Sequence, residues 1–294
     1  MRSFGPFRSS APPSTPGGSH RADHADHADH FDRLDHGGAT ACGVRSENQD
    51  RWATAPGWLV VSDGIGGHTG GALAATLTVD AVRQLLEWGE GDGEPAEALV
   101  ADAVRRANAA VRAQRAIDPQ ASDMGATVVL GVAASVEAAE SRWAVAGVGD
   151  SPAWLVTRDG AVQVTTDDNV AAGLVRSGAI TPEASATHPG RHLLLRAVGI
   201  EARLETPAVE VRLRVGDALV FASDGLSAVI TPAEIHEVVT AAPSMADASQ
   251  RLVDRALRAG TTDNVTVAAV RHAGQPLSQA VATATPGSVG RNRL

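Results

Sequence analysis

Lysine and tyrosine are absent from this 294-residue chain, so all 25 basic residues are arginine. Aromatic residues make up only 3% of it, as four Phe and five Trp, and a core must be built mainly of Ala, Val and Leu. The single cysteine, Cys42, excludes an intrachain disulfide and a cysteine-rich zinc site. No run of about 18 apolar residues exists, so no membrane-spanning helix is expected. The N-terminus lacks the apolar stretch of a signal peptide. Acidic residues outnumber basic ones, 34 to 25, for a net charge of −9, which argues against sequence-independent nucleic-acid binding. The expectation is a soluble, cytoplasmic protein with neither nucleic acid nor membrane as partner.

Composition divides the chain into three. Residues 1–37 begin with Ser, Pro and Gly and continue into the repeat His20-Arg-Ala-Asp-His24-Ala-Asp-His27-Ala-Asp-His30. With no apolar periodicity to offset ordering entropy, this stretch reads as a disordered tail. Residues 273–294, rich in Gly, Pro, Ser, Thr and Ala, read as a second tail, which leaves one domain over 38–272. Within it, Trp58–Val61 reads as a buried strand. Residues 71–88 carry Ala74, Leu77, Ala81, Leu85 and Trp88 at helical spacing, and Val100, Val104, Ala107 and Val111 mark a second helix. Strands are expected over 125–136, 142–148, 153–156, 161–165, 209–215, 217–222 and 264–271. Thr231-Pro-Ala-Glu234 is a capping box, and Ser244 opens a last helix closed by Gly260. Strands in hairpin order with helices in pairs predict an α+β fold.

The most informative feature is an internal echo. Leu59-Val-Val-Ser-Asp63-Gly64 and Leu219-Val-Phe-Ala-Ser-Asp224-Gly225 each place a carboxylate at the exit of an apolar strand, followed by a glycine that permits a sharp turn. Asp150 follows another apolar strand, Asp263 precedes a fourth, and Asp50 precedes the first strand region. Singly, each suits an ordinary turn. Clustered, with no lysine to pair them, they would repel one another and call for cations. An all-oxygen set selects hard ions such as Mg²⁺ or Mn²⁺.

Six segments fall in one order: Arg45-x-x-Asn-Gln-Asp50, Val61-Ser-Asp-Gly-Ile-Gly-Gly-His68-x-Gly-Gly71, Met124-Gly-Ala-Thr127, Gly149-Asp-Ser151, Ser223-Asp-Gly-Leu226 and Thr262-Asp-Asn-Val-Thr266. This set resembles the ordered motifs of the metal-dependent protein phosphatases, the protein phosphatase 2C family in its bacterial form. Ile180-Thr-Pro-Glu-Ala through His188-Pro to Arg196-Ala-Val-Gly199 resembles that family's flap.

The resemblance implies a β-sandwich of two antiparallel sheets flanked by helices, in four layers α-β-β-α. It implies a protein serine/threonine phosphatase that hydrolyses phosphoserine and phosphothreonine by attack of a hydroxide bridging two Mn²⁺ or Mg²⁺ ions. By position, Asp63 would bridge the ions, the Gly64 carbonyl would bind one, and Asp224 and Asp263 would complete the other. Asp150 would share a third, weaker position with Asp224. Asp50 would orient water, and Arg45 would grip the substrate phosphate, a task its planar fork suits. His68 is a lesser candidate for proton transfer. Gln49 stands where many relatives carry Glu, Ile65 follows the first Asp-Gly, Pro152 follows Gly-Asp-Ser, and Asn169 replaces a common His. The alternative is a catalytically inactive regulatory domain of the same fold. Phosphorylated proteins, among them a cognate Ser/Thr kinase, are the implied partners of a monomer.

Overall fold

Valine, alanine and leucine, with few aromatics among them, fill three apolar layers in the computed structural model, which describes residues 30–66, 70–87 and 93–275. The strands are β1 (Leu34–Ala41), β2 (Arg51–Ala55), β3 (Trp58–Ser62), β4 (Gly64–Ile65), β5 (Gly125–Ala126), β6 (Val128–Val136), β7 (Glu140–Val148), β8 (Ala153–Thr157), β9 (Gly160–Gln163), β10 (Val209–Arg214), β11 (Ala218–Ala222) and β12 (Val265–His272). The helices are α1 (Gly70–Glu87), α2 (Ala96–Ile117), α3 (Val170–Arg176), α4 (Pro182–Ser185), α5 (Asp224–Ser227), α6 (Pro232–Ala241) and α7 (Met245–Arg258). One sheet runs β1-β12-β11-β8-β9 and the other β10-β7-β6-β3-β2, and β4 pairs only with β5. Every pairing is antiparallel.

The central strands are apolar on both faces because each sheet is covered twice. In β3, Leu59 and Val61 point between the sheets, whereas Trp58 and Val60 meet α1 and α2. In β11, Leu219 and Phe221 point between the sheets, and Val220 meets the layer formed by α6 and α7. This period-two division is what turns a continuous apolar run into two packed layers. The result is the expected α-β-β-α sandwich. Phe221, fully buried, fits because Gly131 lies opposite it; a Cβ there would stand 2.8 Å from the ring. Among the described residues no helix is long and apolar enough to cross a membrane.

Several boundaries differ from those read in the sequence. β1 begins at Leu34, inside the stretch that composition assigned to a tail. Leu34 is only 2% exposed, and Asp35 pairs with Arg271 at 2.8 Å. Gly37 and Gly38 let Ala246 and the Trp52 ring lie directly against the strand. Its polar, glycine-rich composition hides a strand whose support comes from β12 and α7. Arg51–Ala55, an edge strand with little alternation, also escaped the pattern. β9 ends at Gln163 rather than at 165. The irregular stretch 168–205 holds α3, α4 and a 3-10 turn at Pro189–His192. Trp88, the repeat over 20–29 and the second tail beyond 275 lie outside the described residues.

Phe221→Ala is predicted to lower the unfolding free energy by about 3–5 kcal/mol, because the ring's space opposite a glycine cannot refill. Urea denaturation measures this, and a loss below about 1 kcal/mol would contradict the packing described.

Candidate metal centre

Hydrogen bonds at the strand ends bring the carboxylates to one end of the sandwich. Ser62 Oγ donates to the Thr127 carbonyl at 2.7 Å, Asp63 N–H donates to Thr127 Oγ1 at 2.9 Å, and Thr127 N–H donates back to the Asp63 carbonyl at 2.8 Å. Thr127 Oγ1 also lies 2.6 Å from Ser151 Oγ, so one threonine fixes the chain at Asp63 relative to the chain at Asp150. β7 reaches Asp150 through Gly149, whose φ of 95° lets the chain turn. On the other sheet, Asp224 opens the one-turn helix α5, and Ser223 N–H donates to the Thr266 carbonyl at 3.0 Å. Ser223 Oγ donates to Asp50 Oδ2 at 2.7 Å, which joins the two sheets through the site. Gly225 allows this approach, since any Cβ would collide with the Asn264 carbonyl.

The carboxylates are crowded and dry. Asp50 is 2% exposed and its Oδ1 has no hydrogen-bond partner; Asp224 Oδ1 is likewise buried and unpartnered. Burial pushes Asp50 up to about 6, aided by the charge of Asp224. Burial drives Asp63 well above the carboxylate range, and Asp50, Asp224, Asp263 and Asp150 all add to it. Asp150 rises to about 7 through burial, then the charges of Asp224 and Asp167. Asp224 is raised by burial and by Asp263, against the pull of His192 and Arg45. Asp167 was not foreseen as a member of this group. Burial and the charges of Asp168 and Asp224 lift it to about 6, although Gln163 donates to it at 2.6 Å.

Arg45 stands at the mouth of the pocket, where its guanidinium donates to Asp263 Oδ2 at 2.7 Å and to the Thr262 carbonyl at 3.1 Å. Its loop is clamped by Asn264, a residue to which sequence reasoning gave no role. The Asn264 amide donates to the Cys42 and Glu47 carbonyls, both at 2.9 Å, and its Oδ1 accepts from Gln49 N–H at 2.8 Å. The flap is tied in by Arg196, which donates to Asp168 Oδ2 at 3.2 Å, while Asp168 N–H donates to the Gly149 carbonyl at 2.8 Å. Together these residues enclose a pocket of about 1090 Å³ whose lining includes Arg45, Asp63, Gly64, Asp150, His192, Asp224 and Asp263.

Of the residues singled out in the sequence, Arg45, Asp63, Gly64, Asp150, Asp224 and Asp263 therefore share one pocket, with Asp50 buried behind it. His68 lies outside the described residues. Among the described residues no three His, Cys, Asp or Glu side chains are closed around a common point in ligating geometry. The donor chemistry nonetheless fits hard divalent cations. Asp50 Oδ1 and Asp224 Oδ1 are buried carboxylate oxygens without a partner, and beside them Arg45 pairs with the more exposed Asp263.

These shifts fix a sign. Asp50, Asp63, Asp150 and Asp167 hold protons in the metal-free folded protein at pH values where the unfolded chain has lost them. Their contribution to stability therefore falls as pH rises above about 4, through about 6 for Asp50 and Asp167 and about 7 for Asp150. Cations require the ionised forms. The rise in Tm on adding Mn²⁺ is predicted to be larger at about pH 7.5 than at about pH 5, as scanning calorimetry would show; an equal rise at both would contradict the crowding.

Comparison with known proteins agrees with this geometry. Residues 38–263 match the family model described as protein phosphatase 2C. The chain is 36% identical over 230 residues to the serine/threonine protein phosphatase PstP of Mycobacterium tuberculosis, covering 76% of this chain. It spans only 42% of that relative's length. It is 29% identical over 226 residues to the serine/threonine phosphatase stp of Listeria innocua, covering 75% of this chain and 85% of that one. The crystal structure of M. tuberculosis PstP/Ppp superposes with a TM-score of 0.73 at 32% identity, over 81% of this chain and 98% of that chain. The PstP catalytic domain in complex with two manganese ions superposes at 0.72 and 31% identity, over 81% of this chain and 97% of that one. With a family match over residues 38–263, on a sandwich whose acidic end the sequence motifs line, the chain belongs to the protein phosphatase 2C family.

Proposed function

We propose that the protein is a metal-dependent protein serine/threonine phosphatase, acting on phosphoserine and phosphothreonine in other proteins. The observation that carries this reading is the set of buried, mutually repelling aspartates beside an arginine at the mouth of one pocket. Asp63, the Gly64 carbonyl, Asp224 and Asp263 would hold two Mn²⁺ or Mg²⁺ ions, and Asp150 with Asp224 a third, weaker one. When bound, such ions supply a nucleophilic water at neutral pH and offset charge on the phosphoryl oxygens.

The chain's own residues then have separable tasks. Arg45 uses only part of its guanidinium on Asp263 and Thr262, and the remaining N–H groups are available to grip phosphate oxygens in a planar fork. Asp50, fixed through Oδ2 by Ser223, presents an unpartnered Oδ1 that can accept a proton from water and orient it. Thr127 and Asn264 hold the carboxylates and the Arg45 loop in register.

A cognate Ser/Thr kinase is part of the proposal, since a phosphatase of this class requires an enzyme that makes its substrates. A monomer in the cytoplasm is the setting proposed, and the free thiol of Cys42 suits that reducing compartment. Retention of all five aspartates and of Arg45 in one site favours an active enzyme over an inactive binding domain. The full protein is predicted to hydrolyse p-nitrophenyl phosphate and phosphothreonine peptides with Mn²⁺, and to lose at least about 100-fold in rate with EDTA or as Asp63→Asn. Undiminished hydrolysis in excess EDTA would overturn the metal mechanism.

A further inference from the structure

One wall of the pocket is apolar, exposed and held rigid. Leu193, Leu195 and Ile200 line the same pocket as Asp63 and Asp150, yet they are 60%, 53% and 49% exposed. Their exposure does not come from a loose main chain. The Leu193 carbonyl accepts from Val170 N–H at 2.9 Å, and Leu195 N–H donates to the Asp168 carbonyl at 2.7 Å. The extended backbone at Leu193 and the bridge between Asn169 and Leu194 set Leu193 and Leu195, two residues apart, on one side. Ile200 is fixed from a different element. Asn108 on α2 accepts from Gly199 N–H at 2.8 Å and donates to the Glu201 carbonyl at 3.0 Å, and Arg112 donates to the Ile200 carbonyl at 3.2 Å. Five backbone-directed hydrogen bonds thus hold three branched apolar side chains out toward solvent. An apolar patch that is kept exposed and bordered by polar groups marks a contact surface.

The geometry points to this wall as the seat for an apolar side chain of the substrate polypeptide, next to the phosphorylated residue. The inference rests on the phosphatase reading, because that reading supplies the occupant. A phosphoserine or phosphothreonine cannot reach the aspartates alone, since its neighbours follow at 3.8 Å per Cα. They must lie along the pocket's sides. The cavity of about 1090 Å³ matches the upper range of sites that hold a whole drug-sized ligand, roughly 300–1,000 Å³, and has room beyond one phosphoryl group. Leu or Met beside the phosphorylated residue would bury its side chain against Leu193, Leu195 and Ile200, whereas a Ser or Glu there would gain nothing from the wall. The protein would therefore select among phosphoproteins by apolar character near the phosphate.

The test compares kcat/KM of the full protein for two phosphothreonine peptides that differ only in having Leu or Ser on both sides of the phosphothreonine, with p-nitrophenyl phosphate alongside. The Leu peptide is predicted to be favoured about 5–20-fold, mainly through KM, and Leu193→Ser/Leu195→Ser to bring that ratio to within about twofold of unity. The ratio is taken within each protein, so a change in overall activity does not mimic the effect. Equal kcat/KM for the two peptides in the unaltered protein overturns the inference, and so does a preference that the double variant retains. A leucine pair that governs self-association, seen as a dimer dissociated by the double variant with the peptide ranking intact, also overturns it. Failure to hydrolyse p-nitrophenyl phosphate would instead sink the phosphatase reading beneath it.

Discussion

Repulsion among aspartates at one end of the sandwich is the constraint that the rest of the structure serves. Carboxylates that bury one another's charge are unfavourable in a folded protein unless they are protonated or met by cations. Asp63 sits at the centre of this group, with its ionised form opposed by burial and by four neighbouring aspartates. Such a cluster persists only where a rigid frame over-determines it. Here the frame is the pair of sheets, whose strands end together and deliver Asp63 and Asp150 from one and Asp224 and Asp263 from the other.

The frame transmits that constraint through few hydrogen bonds. Thr127 binds the chain on both sides of Asp63 and reaches Ser151, while Ser223 spans from Asp50 to Thr266. Both hydroxyls are buried, so neither is free to exchange its partners for water. Outside them, Asn264 holds the loop that carries Arg45, and the pair Asp168–Arg196 holds the flap. The polar network fixes positions, and the apolar layers beneath fix the network. Phe221 over Gly131 is one point where a bulky ring and a missing side chain lock the two sheets together.

Much of this was legible in the sequence because it repeats a local rule. An apolar strand, an aspartate and a glycine are contiguous, so the exits at Asp63 and Asp224 could be read directly, and the capping box at Thr231 required only four residues. What escaped depends on residues far apart in the chain. β1 looks like a tail because its support lies in β12 and α7, more than 200 residues away. Asp167 joins the site through proximity to Asp150 and Asp224, which no spacing reveals. Asn264 was visible within a motif, but its task of clamping the Arg45 loop exists only once β12 returns beside β1. The stretch 168–205 read only as irregular, and the exposure of its apolar side chains is a property of the folded loop alone.

The most direct measurement of the central constraint removes one charge from the crowd without metal. In EDTA at about pH 7.5, Asp63→Asn is predicted to raise the unfolding free energy above that of the unaltered protein, since an amide relieves the repulsion that burial intensifies. A lower unfolding free energy for Asp63→Asn under those conditions would contradict the account.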